Sequence, residues 1–275
     1  MDVCNCDITN RIKADALWMR KRILELSLRA GKNGSHVGGS LSMVETLAVL
    51  FAIMNRDKED LDKRDRFILS KGHGALALYC ALERTGLLTK EETDTFESNG
   101  TQYYAHAKRN IAKGIEFSGG SLSLGISFAV GVALSCKEKG LDNHIYVLVG
   151  DGECNEGHLW EAAMAAASFK LTNLTVLVDC NGLQSDGFTK DIMDSSSLSR
   201  KFSAFGFDAK EVDGHSVDSL REALSVKTSF APQAIIANTI KGKGVSFMES
   251  EKNWHHGVLT EKLYEQAIQE IIGME

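Results

Sequence analysis

The sequence predicts an α/β fold, in which a mostly parallel sheet carries helices on both faces. Two short runs, at 144–149 and 175–178, are almost entirely apolar and rich in β-branched residues, which is typical of parallel strands buried on both faces. The stretch between them, 155–171, is rich in Ala, Met, Leu and Glu, which favour a helix. A strand, a helix and a strand within about 35 residues form one βαβ unit, whose crossover is expected to be right-handed.

The rest of the chain repeats this alternation. The expected helices lie at 8–29, 42–55, from about residue 75, at 121–137 and at 217–226, and the further strands at 67–69, 208–212 and 234–239. The repeated β–α order predicts one sheet covered on both faces. Residues 182–200 and 241–257 are expected to be loops near the carboxyl edge of the sheet, where loops often carry function. We expect residues 1–275 to form a single domain, with a helical segment at 1–60.

Composition argues against several classes of function. The formal net charge is −6 and the basic residues are not clustered, so a nucleic-acid footprint is not expected. No apolar run approaches the ~18–20 residues that span a membrane. The first residues, Met1 to Cys4, lack the basic start and apolar core of a secretory signal. We therefore expect a cytoplasmic protein that binds neither nucleic acid nor membrane.

Asp151 and Asn181 each follow one of the two apolar runs, 30 residues apart. Because the carboxyl ends of parallel strands share one sheet edge, where open α/β folds bind ligands, the two side chains are expected to meet there. Their oxygens suit Mg²⁺, with the Leu183 carbonyl as a third protein ligand and phosphate oxygens and water in the remaining positions. Gly150 and Gly152 let the backbone approach a phosphate closely, and the following helix points its N-terminus to the same place. The alternative is that Gly-Asp-Gly is only a turn. It is disfavoured because a predicted strand precedes the motif, and a predicted helix and a second strand that ends in Asn-Gly follow it, as the site requires.

The six cysteines are expected to be reduced thiols, as is usual in a cytosolic protein. Cys4 and Cys6 are close enough for a metal clip, but the sequence offers no second pair of cysteines. Cys154 and Cys180 flank the predicted cation site and are candidates for reactive thiols, with no catalytic role assigned.

The Gly-Asp-Gly motif and the asparagine that follows it resemble the thiamine-diphosphate signature, and residues 153–162 closely resemble the version found in the transketolase family. Other motifs similar to that family occur in order between about residues 8 and 265: Ser35-His-Val-Gly-Gly-Ser-Leu-Ser42, Leu69-Ser-Lys-Gly-His-Gly74, Glu116-Phe-Ser-Gly-Gly-Ser-Leu-Ser-Leu-Gly-Ile126, Val212-Asp-Gly-His215, Lys241-Gly-Lys-Gly244 and His255-His-Gly257. The resemblance implies the diphosphate-binding domain of the thiamine-diphosphate fold. It implies thiamine diphosphate as the cofactor and Mg²⁺ as the cation, with Ca²⁺ or Mn²⁺ as alternatives.

Transketolases are well over twice as long as this chain, which is similar only to their first domain. The resemblance therefore implies the N-terminal subunit of a split transketolase. The partner subunit would carry the pyrimidine-binding domain and the family's catalytic glutamate, which has no counterpart in this chain. A homodimer of such heterodimers is the assembly expected by analogy.

The same resemblance assigns roles to individual residues. The histidines similar to those that line the family's substrate channel, contact donor or phosphate oxygens and move protons are His36, His73, His106 and His256. An imidazole suits this work because its pKa lies near 7 and it can both donate and accept a hydrogen bond. His255 is the alternate to His256 if the register of the loop at 241–257, called the late loop below, shifts by one residue.

Further positions similar to the family's cofactor site surround the predicted cation. The cofactor contacts implied are those of His73, Gly120, Leu122, Gly150, Gly152, Glu153, Asn181 and His256, with Gly152 and Glu153 offering backbone N–H groups to the diphosphate. Glu156 and Glu161 are similar to acids near the junction between subunits, where they would link paired sites.

This chain departs from the family pattern at its prolines, of which it has one, Pro232. Transketolases commonly have Gly-His-Pro-Gly where this chain has Ser35-His-Val-Gly38, Gly-Pro-Leu-Gly where it has Gly120-Ser-Leu-Ser123, and Gly-His-Pro where it has Ala105-His-Ala107. These loops shape the donor pocket. The departures leave the cofactor site as expected and favour a non-standard donor, such as a rarer sugar phosphate or a sulfonated sugar.

The resemblance implies transfer of a two-carbon ketol unit from a ketose donor to an aldose acceptor, the glycolaldehyde transfer of pentose phosphate metabolism. It implies sugar phosphates as substrates and activity only beside the partner chain. Three alternatives remain open. One is a split relative that makes deoxyxylulose phosphate or decarboxylates a 2-keto acid, and another is a subunit that binds the cofactor without catalysis. The third, a Mg²⁺-dependent phosphohydrolase, is disfavoured because the sequence has no Gly-x-x-x-x-Gly-Lys-Ser/Thr loop.

Overall fold

The computed structural model describes residues 2–57, 60 and 62–274, with side chains from residue 7 onward. The thiols of Cys4 and Cys6, expected to be reduced, lie outside the described side chains. The sheet consists of β1 (Arg66–Leu69), β2 (Ile145–Gly150), β3 (Leu174–Cys180), β4 (Asp208–Asp213) and β5 (Gln233–Asn238).

The strands lie in the order β1-β2-β3-β5-β4, and every neighbouring pair is parallel. Because β2 and β3 are adjacent, Gly150 at the end of β2 pairs with Asp179 near the end of β3. Cys180 pairs in turn with Asn238 at the end of β5. The carboxyl ends of these three strands therefore form one continuous edge.

Helices surround this sheet. They are α1 (Asp2–Arg29), α2 (Val37–Leu41), α3 (Val44–Ile53), α4 (Ala75–Arg84), α5 (Lys90–Thr93), α6 (Leu124–Glu138), α7 (Gly157–Ser168), α8 (Thr189–Met193), α9 (Leu198–Ala204), α10 (Val217–Ser225) and α11 (Glu261–Ile272). Within the described ranges, no helix is both long and apolar enough to cross a bilayer.

The core lies on both faces of the sheet because consecutive strand residues point to opposite sides. In β2, Tyr146 and Leu148 belong to one apolar cluster, whereas Val147 and Val149 belong to the other. The first cluster is completed mainly by α1, α3, α4, α10 and α11, and the second by α6, α7 and α9. All residues of β2 are buried, which accounts for its uninterrupted apolar run.

The architecture confirms the predicted α/β fold with a mostly parallel sheet and helices on both faces. The segment 182–200, expected to be a loop, instead contains α8 and the start of α9. The prediction was wrong there because serine is common both in loops and at the start of helices. Ser197 caps α9, and its side chain accepts the Arg200 N–H. The C-terminal helix α11 was not predicted; Thr260 caps it, and Ala267 and Ile271 face the core.

Two loops cross backbone to backbone beside the carboxyl edge. A Cβ on Gly72 would lie 2.8 Å from the Gly120 nitrogen, and one on Gly119 would lie 2.7 Å from the Gly72 Cα. Only glycine permits this approach. The crossing brings the loop after β1, which carries His73, against the loop before α6.

Candidate active site

A cavity of about 450 Å³ opens at the carboxyl edge of the sheet. It lies beyond the ends of β2 and β3, and the loops after β1 and β5 contribute to its walls. Among the residues that line it are His36, Lys71, His73, His106, Gly120, Leu122, Gly150, Asp151, Gly152, Glu153, Asn181, Leu183 and His255. The fold thus brings together side chains from segments that are far apart in the sequence.

Asp151 follows β2 directly and is 4 % exposed. Its Oδ1 accepts the N–H of Gly152 at 2.9 Å, and its Oδ2 accepts the N–H of Gly182 at 2.7 Å and the hydroxyl of Thr189 at 3.2 Å. Burial, followed by the nearby charge of Asp179, raises the pKa of Asp151. A divalent cation here would supply the positive charge that favours the ionised form of this carboxylate.

Asn181 and Leu183 lie beside Asp151 because Gly182, between them, is hydrogen-bonded to its carboxylate. The Asn181 Nδ2 donates to Asp179 Oδ2 at 2.9 Å, and its Oδ1 accepts the Leu183 N–H at 3.1 Å. The Leu183 carbonyl accepts a hydrogen bond from Lys241 Nζ at 3.1 Å.

The donor set fits a cation bound to a diphosphate. A carboxylate, an amide oxygen and a main-chain carbonyl are hard oxygen ligands of the kind Mg²⁺ takes, with phosphate oxygens and water completing its shell. No group of three His, Cys, Asp or Glu side chains suited to a metal occurs among the residues that the structure describes. The fit therefore rests on the oxygens of Asp151, Asn181 and Leu183 together.

A buried ion pair joins Lys71, which lines the cavity, to Asp179. The two side chains are each 1 % exposed, and Lys71 Nζ lies 2.5 Å from Asp179 Oδ2 and 2.9 Å from the Gly39 carbonyl. The hydroxyls of Ser42 and Thr239 also donate to the carboxylate, at 2.6 and 2.5 Å. Although burial acts to raise it, the charge and hydrogen bond of Lys71 bring the pKa of Asp179 below its ordinary value. Asp179 therefore stays ionised, and the hydrogen bond that it accepts from Asn181 Nδ2 fixes the orientation of the Asn181 side chain.

The carboxylate of Glu153 joins three loops at the cavity wall. It is 2 % exposed and accepts hydrogen bonds from the Ser70 hydroxyl, from the Ser123 N–H at 2.7 Å and from the Gly150 N–H at 3.0 Å. Burial raises the pKa of Glu153, and these hydrogen bonds oppose that shift. The sequence assigns only the backbone N–H of Glu153 to the diphosphate, so this role of its side chain was not anticipated.

Four histidine rings cluster around that of His36. The centroid of its ring lies 4.7 Å from that of His256 and 5.3 Å from that of His106. It lies 5.5 Å from that of His255 and 5.8 Å from that of His73. Such crowding disfavours protonation, because one imidazolium would face several others at short range.

Burial and the neighbouring imidazoles lower the pKa of His36 to about 3. Burial, followed by the charge of Lys71, also lowers the pKa of His73, and burial lowers that of His106. These rings are therefore neutral at pH 7, and each can donate at one nitrogen and accept at the other. The Nδ1 of His36 is buried and has no hydrogen-bond partner among the described residues, which suits it to a substrate oxygen.

The late loop brings His255 rather than His256 to the cavity wall. His255 Nδ1 lies 2.8 Å from Lys241 Nζ, and burial together with Lys241 lowers the pKa of His255 to about 4. Lys241 is 1 % exposed, and burial followed by the charge of Lys71 lowers its pKa to about 8. His256 is exposed and lies outside the cavity lining, with its ring centroid 4.7 Å from that of His36. The alternate, His255, is thus the one that lines the cavity, and the cofactor contact expected of His256 stays a prediction.

Of the other positions to which the sequence assigns a role, some line the cavity and one lies on the protein surface. Gly120 and Leu122 line the cavity, as does Glu156, an exposed residue. Glu161 is exposed on α7 and lies outside the cavity lining.

Cys154 and Cys180, considered as reactive thiols, are both shielded. Cys154 is buried and hydrogen-bonds to the Gly150 carbonyl at 3.4 Å. Burial raises the pKa of Cys154 well above its ordinary value and that of Cys180 to about 12. Neither thiol is activated as a nucleophile at neutral pH.

Three side chains at the site received no role from the sequence, although two of them lie in motifs that it singles out. Lys71 lies between Ser70 and Gly72, and Lys241 begins the Lys-Gly-Lys-Gly motif. A lysine inside a glycine-rich turn is the signal that would have drawn attention to them. Asp179 follows an apolar run directly and carries the same signal as Asp151.

Comparisons with known proteins agree on one family. The family model described as "Transketolase, thiamine diphosphate binding domain" matches residues 15–275. An Actinobacillus succinogenes protein, named as one subunit of an apulose-4-phosphate transketolase, is 38 % identical to the chain over 266 residues, covering 95 % of this chain and 96 % of that one. The 6-deoxy-6-sulfo-D-fructose transketolase subunit SqwG of Clostridium sp. is 41 % identical over 259 residues, covering 92 % and 93 %. The solved transketolase from Leishmania mexicana superimposes with a TM-score of 0.84 at 27 % identity, over 94 % of this chain and 41 % of that chain.

Proposed function

This chain belongs to the transketolase family, and we propose that it is the diphosphate-binding subunit of a two-subunit enzyme that moves a two-carbon ketol unit from a ketose to an aldose. The proposal includes thiamine diphosphate as the cofactor and Mg²⁺ as the cation. It treats residues 1–275 as one diphosphate-binding domain that works in the cytoplasm.

One observation supports this function most directly. A buried carboxylate, an amide and a main-chain carbonyl, from Asp151, Asn181 and Leu183, lie at the end of a cavity whose other wall is a cluster of neutral histidines. The first group suits a cation with a diphosphate, and the second suits the hydroxyls of a sugar. A site built only for phosphate hydrolysis has no need of the second group.

Each group at the site has a defined task in this proposal. Thiamine diphosphate, when bound, would supply a nucleophilic carbon for the ketose, which is chemistry that the protein itself lacks. Asp151 and Asn181 hold the cation, and the glycines at the end of β2 let the backbone approach the diphosphate. His36 and His73, being neutral, hold donor hydroxyls as donors or acceptors. Lys241 Nζ lies 2.8 Å from His255 Nδ1, and a hydrogen bond donated there leaves the Nε2–H of His255 to donate to a substrate oxygen.

The partner in this proposal is a separate chain that carries the pyrimidine-binding domain. Two relatives of nearly the same length are named as subunits of transketolases. The transketolase from Leishmania mexicana is matched over 41 % of its length. We propose a heterotetramer, a homodimer of heterodimers, in which the partner covers the open cavity and supplies the family's catalytic glutamate.

The donor is proposed to be a phosphorylated or sulfonated ketose outside the common pentose phosphates. The names of two relatives specify apulose 4-phosphate and 6-deoxy-6-sulfo-D-fructose. The loops around His36, His106 and Gly120 lack the prolines that are common in transketolases. Loops with different backbone restrictions shape a different donor pocket.

The test is reconstitution of ketol transfer. The chain would be co-purified with a pyrimidine-domain chain from a neighbouring gene and assayed with thiamine diphosphate, Mg²⁺ and an aldose acceptor. The donors would be xylulose 5-phosphate, apulose 4-phosphate, 6-deoxy-6-sulfofructose and pyruvate. We expect no ketol transfer by either chain alone and transfer from at least one ketose by the pair.

Three results would contradict the proposal in different ways. Activity with pyruvate and none with a ketose would favour the decarboxylating relatives. Tight cofactor binding without turnover, for every donor, would favour a non-catalytic role. Full ketol transfer by the chain alone would remove the need for a partner.

A further inference from the structure

We propose that Glu97 is a positioning residue, which holds the loop of His106 against the turn of His36 and thereby sets the donor-facing side of the histidine cluster. The inference rests on the proposed function, because it concerns how that function's donor is recognised. Nothing in the sequence motifs marks Glu97, which lies in the polar segment between α5 and the histidine loop.

The first support is the contact between the Glu97 carboxylate and the histidine loop. The carboxylate accepts the N–H of Ala105, the residue directly before His106. The main chain of Glu97 contacts the same loop, because its N–H donates to the Tyr103 carbonyl at 3.2 Å. Glu97 therefore closes the loop from both its backbone and its side chain, immediately beside the histidine.

The second support is the backbone conformation of Glu97 itself. Its φ is +56°, in the left-handed region that residues other than glycine rarely adopt. This conformation accompanies the return of the side chain toward Ala105, eight residues later. Strained positions of this kind persist where the surrounding contacts fix them, and they are concentrated at functional sites.

The third support is a link from Glu97 to the turn that carries His36. The Asn33 Nδ2 donates to the Glu97 carbonyl at 3.0 Å, and Asn33 lies three residues before His36. The ring centroids of His36 and His106 lie 5.3 Å apart. One residue thus contacts both chain segments whose histidines face each other at the cavity.

Charge is consistent with this placement. Burial lowers the pKa of His106, and the Glu97 carboxylate opposes that shift, whereas the neighbouring His256 adds to it. Burial, followed by the charge of Glu97, also raises the pKa of Tyr79. Tyr79 supports the same loop by donating to the Tyr104 carbonyl at 2.9 Å.

The chain offers a matched control in the same loop. The Tyr103 hydroxyl donates to Glu92 Oε1 at 2.9 Å, away from the histidines. Tyr103→Phe therefore removes one hydrogen bond from this loop without touching the Glu97 contact with Ala105. Glu97→Gln keeps an oxygen that can accept the Ala105 N–H, and Glu97→Ala removes it.

The direct experiment is amide hydrogen exchange at Ala105 in the full chain, followed by NMR after ¹⁵N-alanine labelling, with the signal identified by Ala105→Gly. In Glu97→Ala we expect the Ala105 amide to exchange at least about tenfold faster, because it loses its acceptor. In Glu97→Gln and Tyr103→Phe we expect exchange within about threefold of the wild type. The proposed hydrogen bond would be overturned by an unchanged exchange rate of the Ala105 amide in Glu97→Ala. A rate in Glu97→Gln as high as that in Glu97→Ala would overturn it as well.

The second readout is donor kinetics with the partner chain. Glu97→Ala is expected to raise the KM for the donor ketose about tenfold, because a small displacement of a binding group is costly. Glu97→Gln and Tyr103→Phe should keep the donor KM, and all three variants should keep the wild-type affinity for thiamine diphosphate. Faster exchange without a change in donor KM would show that Glu97 does not position the donor site. If the wild-type pair transfers no ketol unit, the proposed function fails, and the exchange experiment still decides whether Glu97 holds the loop.

Discussion

Replacing Lys71 by methionine tests the buried ion pair between Lys71 and Asp179. Methionine has a similar length to lysine, so the main change is loss of the ammonium group. Lys71 Nζ lies 2.5 Å from Asp179 and 2.9 Å from the Gly39 carbonyl, and both charged side chains are 1 % exposed. The substitution therefore leaves Asp179 buried without its counter-charge.

The size of the effect follows from these contacts. Removing one partner of a buried ion pair costs about 3–5 kcal/mol, because the remaining charge is uncompensated. Asp179 would still accept hydrogen bonds from Ser42, Thr239 and Asn181, which places the expected loss near the lower end of this range. We expect the free energy of unfolding at pH 7 to fall by about 3 kcal/mol.

The loss should depend on pH in a defined direction. In the wild type the pKa of Asp179 is lowered in the folded state, so its contribution to stability is present above the unfolded pKa near 4 and is lost as the pH falls through the folded value. In Lys71→Met burial would raise that folded pKa, so the variant gains relative stability as the pH falls and Asp179 takes up a proton. The difference in unfolding free energy between the two proteins should therefore be largest near pH 7 and shrink toward pH 4.

Urea unfolding followed by circular dichroism at pH 7 and pH 4.5 would measure both effects. Lys137→Met is the matched control, because Lys137 is an exposed lysine whose Nζ donates to the Phe169 carbonyl at 2.6 Å. That control should change the unfolding free energy by less than about 0.5 kcal/mol. A loss below about 1 kcal/mol in Lys71→Met, or an equal loss at both pH values, would refute the assignment of Lys71 as the counter-charge of Asp179.

Three further predictions concern the cavity. Asp151→Ala should weaken Mg²⁺-dependent binding of thiamine diphosphate about 100-fold in calorimetric titration, with an unchanged circular dichroism spectrum; wild-type affinity would rule out Asp151 as a cation ligand. In the reconstituted enzyme, His255→Asn should lower kcat/KM about 100-fold and His256→Asn less than about threefold. A larger loss in His256→Asn than in His255→Asn would show that His256 is the residue that acts in the cavity. Cys154 and Cys180 should react with Ellman's reagent at pH 8 about 100-fold more slowly than free cysteine, because the pKa of each thiol is raised, and fast labelling of the native chain would contradict their shielding.

The sequence by itself determined the fold class and the meeting of the two proposed cation ligands, Asp151 and Asn181, at one edge of the sheet. Both follow from local features, because an uninterrupted apolar run predicts a strand buried on both faces wherever it occurs. The polar residue after such a run must lie at the edge of the sheet, and adjacent parallel strands bring Asp151 and Asn181 together. The same local reasoning missed α8, α9 and α11. These helices are short or polar, and the hydroxyl residues that cap α9 and α11 are also common in loops.

Only the tertiary structure decided which side chains complete the site. His255 and His256 are neighbours in a loop without regular periodicity, so the direction of each ring depends on what packs against the loop, here His36 and Lys241. The partnership of Lys71 with Asp179 joins residues more than a hundred positions apart, and no local pattern encodes which lysine meets which acid. A buried charge is costly unless it is paired, and only the whole fold decides which charged groups are buried together.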